Sequence, residues 1–163
     1  MASTLSQEPL AVSVRTASSD DVDDLIPLYA GFMLHEGIQP PDAGELRRRL
    51  ARLLDSKTDD VLIARDRAGR ALGYLQQRYY LSVWRPDRDA YIEDVFVVES
   101  SRGRGVGEAL VRAGLQRARE HGAARICLDT NERNLRARQL YERLGFDNHH
   151  RNGGSQLFYS RLL

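Results

Sequence analysis

The stretch YIEDVFVVESSRGRGVGEALVRAGLQRARE (residues 91–120) decides the fold. It opens on a β-branched and aromatic run, which predicts a strand. It then breaks at Gly103, Gly105 and Gly107, with Arg102 and Arg104 threaded among them. A run of good helix formers follows at once and predicts a helix over 105–121. Val106, Ala109, Leu110, Ala113 and Ala118 fall on one side of that helix. Glu108, Arg112, Gln116 and Arg119 fall on the other, which is the pattern of a half-buried surface helix. A helix N-terminus exposes unpaired N–H groups and a partial positive charge. Glycines just before it let the backbone approach a ligand closely. Strand, glycine loop and helix together therefore predict an anion site, and a pyrophosphate suits it.

Working outward, "VSVRTA" (12–17) alternates as a strand and "SSDDVDDLIPLYAGFMLHEG" (18–37) has caps, acids and helical spacing. Pro27 lies inside that helix and is expected to kink or split it. "ELRRRLARLLDS" (45–56) is a second amphipathic helix. The period then changes: "DDVLIARD" and "ALGYLQQRYYLSVW" are strands around a turn at 67–69, followed by the strand that opens the deciding stretch. After the glycine loop and its helix, "GAARICLDT" is a strand, "NERNLRARQLYERLGF" a helix ended by Gly145, and "SQLFYSRLL" (155–163) a last strand. The order β, α, α, β, β, β, α, β, α, β mixes hairpins with one crossover. The fold class is thus α+β, with a mixed, mostly antiparallel sheet flanked by about four helices. Residues 1–10 read as a disordered tail and 11–163 as a single domain.

The length of 163 residues suits one domain with its own core. The net charge of +1 excludes a general electrostatic attraction to nucleic acid or membrane. No apolar run approaches the roughly 20 residues of a membrane span. "MASTLSQEP" lacks the pattern of a signal peptide. The single cysteine, Cys127, sits in an apolar stretch and reads as a buried thiol, which fits a reducing, cytoplasmic compartment. The four histidines make no metal set: His149 and His150 are adjacent in a loop, and no H-E-x-x-H occurs.

Two phosphate-loop patterns fail on the glycine loop. A mononucleotide loop needs a Lys after its last glycine, and none follows. A dinucleotide fingerprint starting at Gly103 would need a glycine where Glu108 stands. The loop instead resembles the acetyl-CoA loop of the Gcn5-related N-acetyltransferase (GNAT) family, [QR]-x-x-G-x-[GA], at Arg102, Gly105 and Gly107. "NLRARQLYERLGF" is similar to that family's second motif at Asn134, Ala137, Tyr141, Gly145 and Phe146. "YIEDVFV" further resembles the small-amine and polyamine branch.

The resemblance implies a transferase that moves an acetyl group from acetyl-CoA, as cosubstrate and without a metal, to a primary amine. It implies a splayed parallel strand pair that receives the pantetheine arm against the backbone of Val95 and Val97. One N–H there would hold the developing oxyanion. The pyrophosphate would lie on Arg102, Gly103, Arg104, Gly105, Val106 and Gly107. Glu93 would take the ammonium proton as general base, with Asp94 turned to the opposite face by strand alternation. Tyr141 would return a proton to the leaving thiolate. Asn134 matches the family's cofactor-contacting amide and is equally placed to cap its helix. Arg138, one turn on, could reach a coenzyme phosphate.

The acceptor side is less legible. Tyr29, His35, Glu36, Tyr80 and Trp84 are candidates for an aromatic and acidic wall around a cationic amine. A polyamine, an amino acid or an aminoglycoside-like amine would each fit. A protein N-terminus or lysine is the alternative acceptor, and a non-catalytic acyl-CoA sensor the alternative class. The resemblance also implies a homodimer through late strands.

Overall fold

The computed structural model describes residues 10–84, 87–149 and 152–162. They fall into two compact units, Met1–Cys127 and Leu128–Leu163. In the first, strand β1 (Ser13–Thr16) leads into helices α1 (Val22–His35) and α2 (Ala43–Leu54). Strands β2 (Asp59–Arg65), β3 (Ala71–Leu81) and β4 (Arg88–Val97) follow as an antiparallel meander. Helix α3 (Val106–Glu120) then crosses over to β5 (Ala123–Leu128). The sheet runs β1-β2-β3-β4-β5, with β5 parallel to β4 and the other pairs antiparallel. This is the α+β mixed sheet that the element order implies.

Each face of the sheet is covered for a reason visible in its side chains. Leu25, Leu28 and Tyr29 of α1 and Leu50 of α2 pack with Val61, Ile63, Tyr74 and Phe96 on one face. Tyr29 stacks on Tyr74 at 4.0 Å between centroids, and Phe32 meets both Tyr74 and Phe96. Burying four large rings in contact stabilises this face well beyond a single aliphatic contact. The other face receives α3. Gly114 allows the close approach: a Cβ there would stand 3.0 Å from Gln77 Oε1 and 3.1 Å from a Leu75 methyl. A polar network crosses this second face. Tyr79 donates its hydroxyl to Asp60 at 2.7 Å, and Arg117 reaches the same carboxylate at 3.1 Å. Asp60 is buried, and these donors satisfy its charge.

Helix α1 runs unbroken through Pro27, where the sequence suggests a kink or split. Packing of its apolar stripe outweighs the one backbone bond that proline removes. At its start, Asp21 is 2% exposed and holds Arg15 at 2.6 Å and Arg65 at 2.8 Å. This ties β1, β2 and the entry of α1 together.

The second unit contains α4 (Leu135–Arg143), begun by Asn134 and ended before Gly145 at φ +88°. The expected last strand does not form in the described residues 155–162, whose pairing consists of an isolated bridge between Ser155 and His149 and the Gln156 N–H donating to the Asn148 carbonyl at 2.7 Å. Leu157, Phe158, Tyr159 and Leu162 are exposed, so neither side of the segment is buried. A strand gains its stability from continued pairing and a covered face, and beyond Gln156 the described residues show neither. The expected tail at 1–10 lies outside the described residues except for Leu10, whose N–H donates to the Arg104 carbonyl at 3.2 Å.

Candidate active site

The site begins with an irregularity in β4. Gln76 pairs with Asp94 but Gln77 pairs with Ile92, so Glu93 is an extra residue in its strand. Such a bulge breaks the alternation of side chains and re-aims them. Both acids consequently belong to the face that carries α1. Glu93 pairs with Arg78, its Oε1 at 2.5 Å from Nε. Arg78 lies on the same side of β3 as Gln76, which accepts from the Tyr29 hydroxyl at 3.0 Å. The negative charge of Asp94 raises the hydroxyls of Tyr29 and Tyr74, both of which burial raises first and further. The expectation that Asp94 points to the opposite face from Glu93 is therefore corrected, because strand alternation fails at a bulge. Arg78 and Gln76 were not singled out in the sequence; both read there as ordinary polar strand residues.

Beyond β4, a 3-10 turn at Glu99–Ser101 redirects the chain into the glycine loop. Gly103 and Gly105 take left-handed φ of +76° and +87°, and Gly105 caps α3. A glycine cap has no side chain to fill the donors of the first turn. The first helical bond is Ala109 N–H to the Gly105 carbonyl at 3.0 Å, and the N–H groups before it face out of the helix end. Arg102 folds back instead of forward. Its Nε donates to the Val97 carbonyl at 3.0 Å and its guanidinium lies 5.8 Å from the Phe96 ring centroid. It therefore fixes the junction between β4 and the loop.

In the second unit, Asn134 Oδ1 accepts from Ala137 N–H at 3.2 Å, which is the helix cap that the sequence allowed. Arg138 donates to the Glu132 carbonyl at 3.3 Å. The Tyr141 ring meets Phe146 edge-on at 5.9 Å. Burial pushes the Tyr141 hydroxyl above its ordinary range, and Asp129 adds to this. A phenol so placed keeps its proton at neutral pH.

The expected acceptor wall is only partly assembled. Tyr29 is a core residue. His35 and Glu36 end α1 and are exposed. Trp84 stands at the β3–β4 turn, 83% exposed. Tyr80 is 41% exposed, and burial pushes its hydroxyl up. Cys127 is only half-buried on β5, not the buried thiol expected. Among the described residues no cluster of three or more His, Cys, Asp or Glu side chains could hold a metal, and no helix is long and apolar enough to cross a membrane. His150 lies outside the described residues.

A mixed sheet whose fourth strand bulges and then feeds a glycine loop at a helix N-terminus defines an acyl-transferase class of site. Residues 28–146 match the family model described as "Acetyltransferase (GNAT) family", and the chain belongs to that family. Its members use acetyl-CoA as cosubstrate. The mycothiol acetyltransferase of Propionibacterium freudenreichii is 33% identical over 128 residues, 78% of this chain. The chain spans only 40% of that relative's length. The D-amino-acid N-acetyltransferase of Saccharomyces cerevisiae is 28% identical over 120 residues, 72% of either chain. A crystal structure of a candidate acetyltransferase from Arthrobacter sp. FB24 superposes with a TM-score of 0.82 at 28% identity, covering 93% of this chain and 96% of that one.

Proposed function

We propose that the chain transfers an acetyl group from acetyl-CoA to a primary amine of a small molecule by direct attack. The observation that carries this reading is the bulge at Glu93, which sets a partly exposed carboxylate on the strand that leads into the glycine loop. The residues present fit an acyl-CoA: an uncapped helix end and two left-handed glycines offer main-chain donors to a diphosphate, and Arg104 adds charge. Acetyl-CoA supplies an activated thioester. Val95 and Val97 present strand backbone to its pantetheine arm, and one N–H there stabilises negative charge on the reacting carbonyl. Glu93 attracts the acceptor ammonium and takes its proton, directly or through water. Tyr141, whose hydroxyl keeps its proton at neutral pH, returns a proton to the departing thiolate. Asn134 and Arg138 remain candidates for coenzyme contact beside their roles at the start of α4.

The names of two relatives, on mycothiol and on D-amino acids, support a small-molecule acceptor over a protein one. Homodimerisation and a cytoplasmic setting are part of the same proposal. The test is a pair of variants. Glu93→Gln is expected to lower kcat/KM by roughly 10²–10³ with acetyl-CoA binding retained, within the range for loss of a general base. Tyr141→Phe is expected to lower kcat. If both variants turn over at the parental rate, the roles fall; if neither parent nor variant turns over but all bind acetyl-CoA, the sensor reading replaces this one.

A further inference from the structure

We infer that the acceptor carries a carboxylate beside its amine, as an α-amino acid does, and that Arg78 binds this carboxylate. The inference rests on the amine-acetylating reading above and narrows it. The bulge brings one cation and one anion side by side on the α1 face of the sheet, where both side chains remain partly exposed. Arg78 reaches Glu93 through Nε at 2.5 Å, and its guanidinium lies 5.6 Å from the Tyr91 ring centroid. These two contacts hold the plane of the guanidinium. The ion pair is made at Nε and the ring lies against the guanidinium face, so the acceptor's carboxylate is assigned to the edge formed by the Nη pair. That edge matches a carboxylate with two parallel hydrogen bonds. The Arg78 side chain is 55% exposed and that of Glu93 30% exposed, so a solute can reach both.

An α-amino acid aligns with this pair and reverses its polarity. Its ammonium goes to Glu93, the proposed base, and its carboxylate goes to Arg78, giving a ring of alternating charge. The spacing of ammonium and carboxylate across one carbon suits two side chains already in contact. A polyamine instead presents only cations to a carboxylate that a guanidinium already shares. Charge complementarity thus separates the two acceptor classes. Tyr80, two residues along β3 on the same face, offers ring surface to the acceptor's side chain.

The experiment measures acetyl-CoA-dependent thiol release by the full chain. Leucine, lysine, phenylalanine and aspartate, in both enantiomers, are each compared with their α-carboxamides, and spermidine is the carboxylate-free control. We expect the best acid to exceed its own amide by at least tenfold in kcat/KM. Arg78→Gln should bring that ratio to within about twofold, with the change in KM for the acid. Arg78→Lys keeps a charge but loses the fork, so its ratio should fall between. A purely structural ion pair would weaken all acceptors alike and leave the ratio unmoved, which overturns the inference; the wild-type ratio decides even if Arg78→Gln fails to fold. Amides or spermidine used as well as the acids overturn this inference alone. No release with any acceptor removes the amine-acetylating reading and this inference with it.

Discussion

At the scale of single residues, the account depends on a few side chains whose environment departs from the ordinary. Gly105 is one. At φ +87° a β-carbon costs about 1–2 kcal/mol, and the residue also aims the first turn of α3. Gly105→Ala is expected to weaken acetyl-CoA binding about tenfold in a calorimetric titration, with little change in kcat at saturation. Asp21 is another. The Arg15 guanidinium, with the Ser18 N–H and Arg65, holds its carboxyl well below the usual carboxylate range. A carboxyl depressed in the folded state adds stability that is present above its unfolded value near 4 and is lost as pH falls toward the folded one. Urea melts should therefore show wild-type stability declining below about pH 4, and Asp21→Asn should be about 2–4 kcal/mol less stable at pH 7 with a flatter acid limb. The glycine loop before α3 and the start of α4 at Asn134 were legible in the sequence because glycine and asparagine mark helix beginnings. The orientation of Asp94 was not, since one inserted residue in β4 turns it to the face of Glu93, and no composition rule marks a bulge.

At the scale of elements, the hairpin of β3 and β4 carries the site. Gly73 lets these strands meet: a Cβ there would collide with the Phe96 carbonyl oxygen and stand 3.1 Å from Val97 Cα. Gly73→Ala is expected to cost about 3 kcal/mol in a denaturant titration, because backbone, not a flexible side chain, must yield. Helices and central strands followed from periodicity with their ends off by up to four residues. The stretch 155–163 misled because its β-rich composition predicts a strand, whereas in the described residues its pairing ends at Ser155 and Gln156. Pro27 does not split α1, since the stripe of Val22, Leu25, Leu28 and Tyr29 stabilises the helix across it. Propensity is local, and in both cases the outcome was set by what the segment packs on.

At the scale of the whole molecule, a ligand that binds only the folded chain raises its stability by mass action. Acetyl-CoA at about 100 times its dissociation constant should add about 2.7 kcal/mol, or roughly 5–10 °C in Tm for a chain of this size. A chain that folds but shows no shift with acetyl-CoA would lack the coenzyme site that its family membership implies. The central claim is transfer to an amine, and one assay addresses it directly: acetyl-CoA-dependent thiol release over a panel of amino acids, polyamines, an aminoglycoside and a basic peptide, with the acetylated product identified by mass. The account predicts release above the no-acceptor rate with a small-molecule amine, and its loss by two to three orders of magnitude in Glu93→Gln. Acetyl-CoA binding with no release across the whole panel would contradict it.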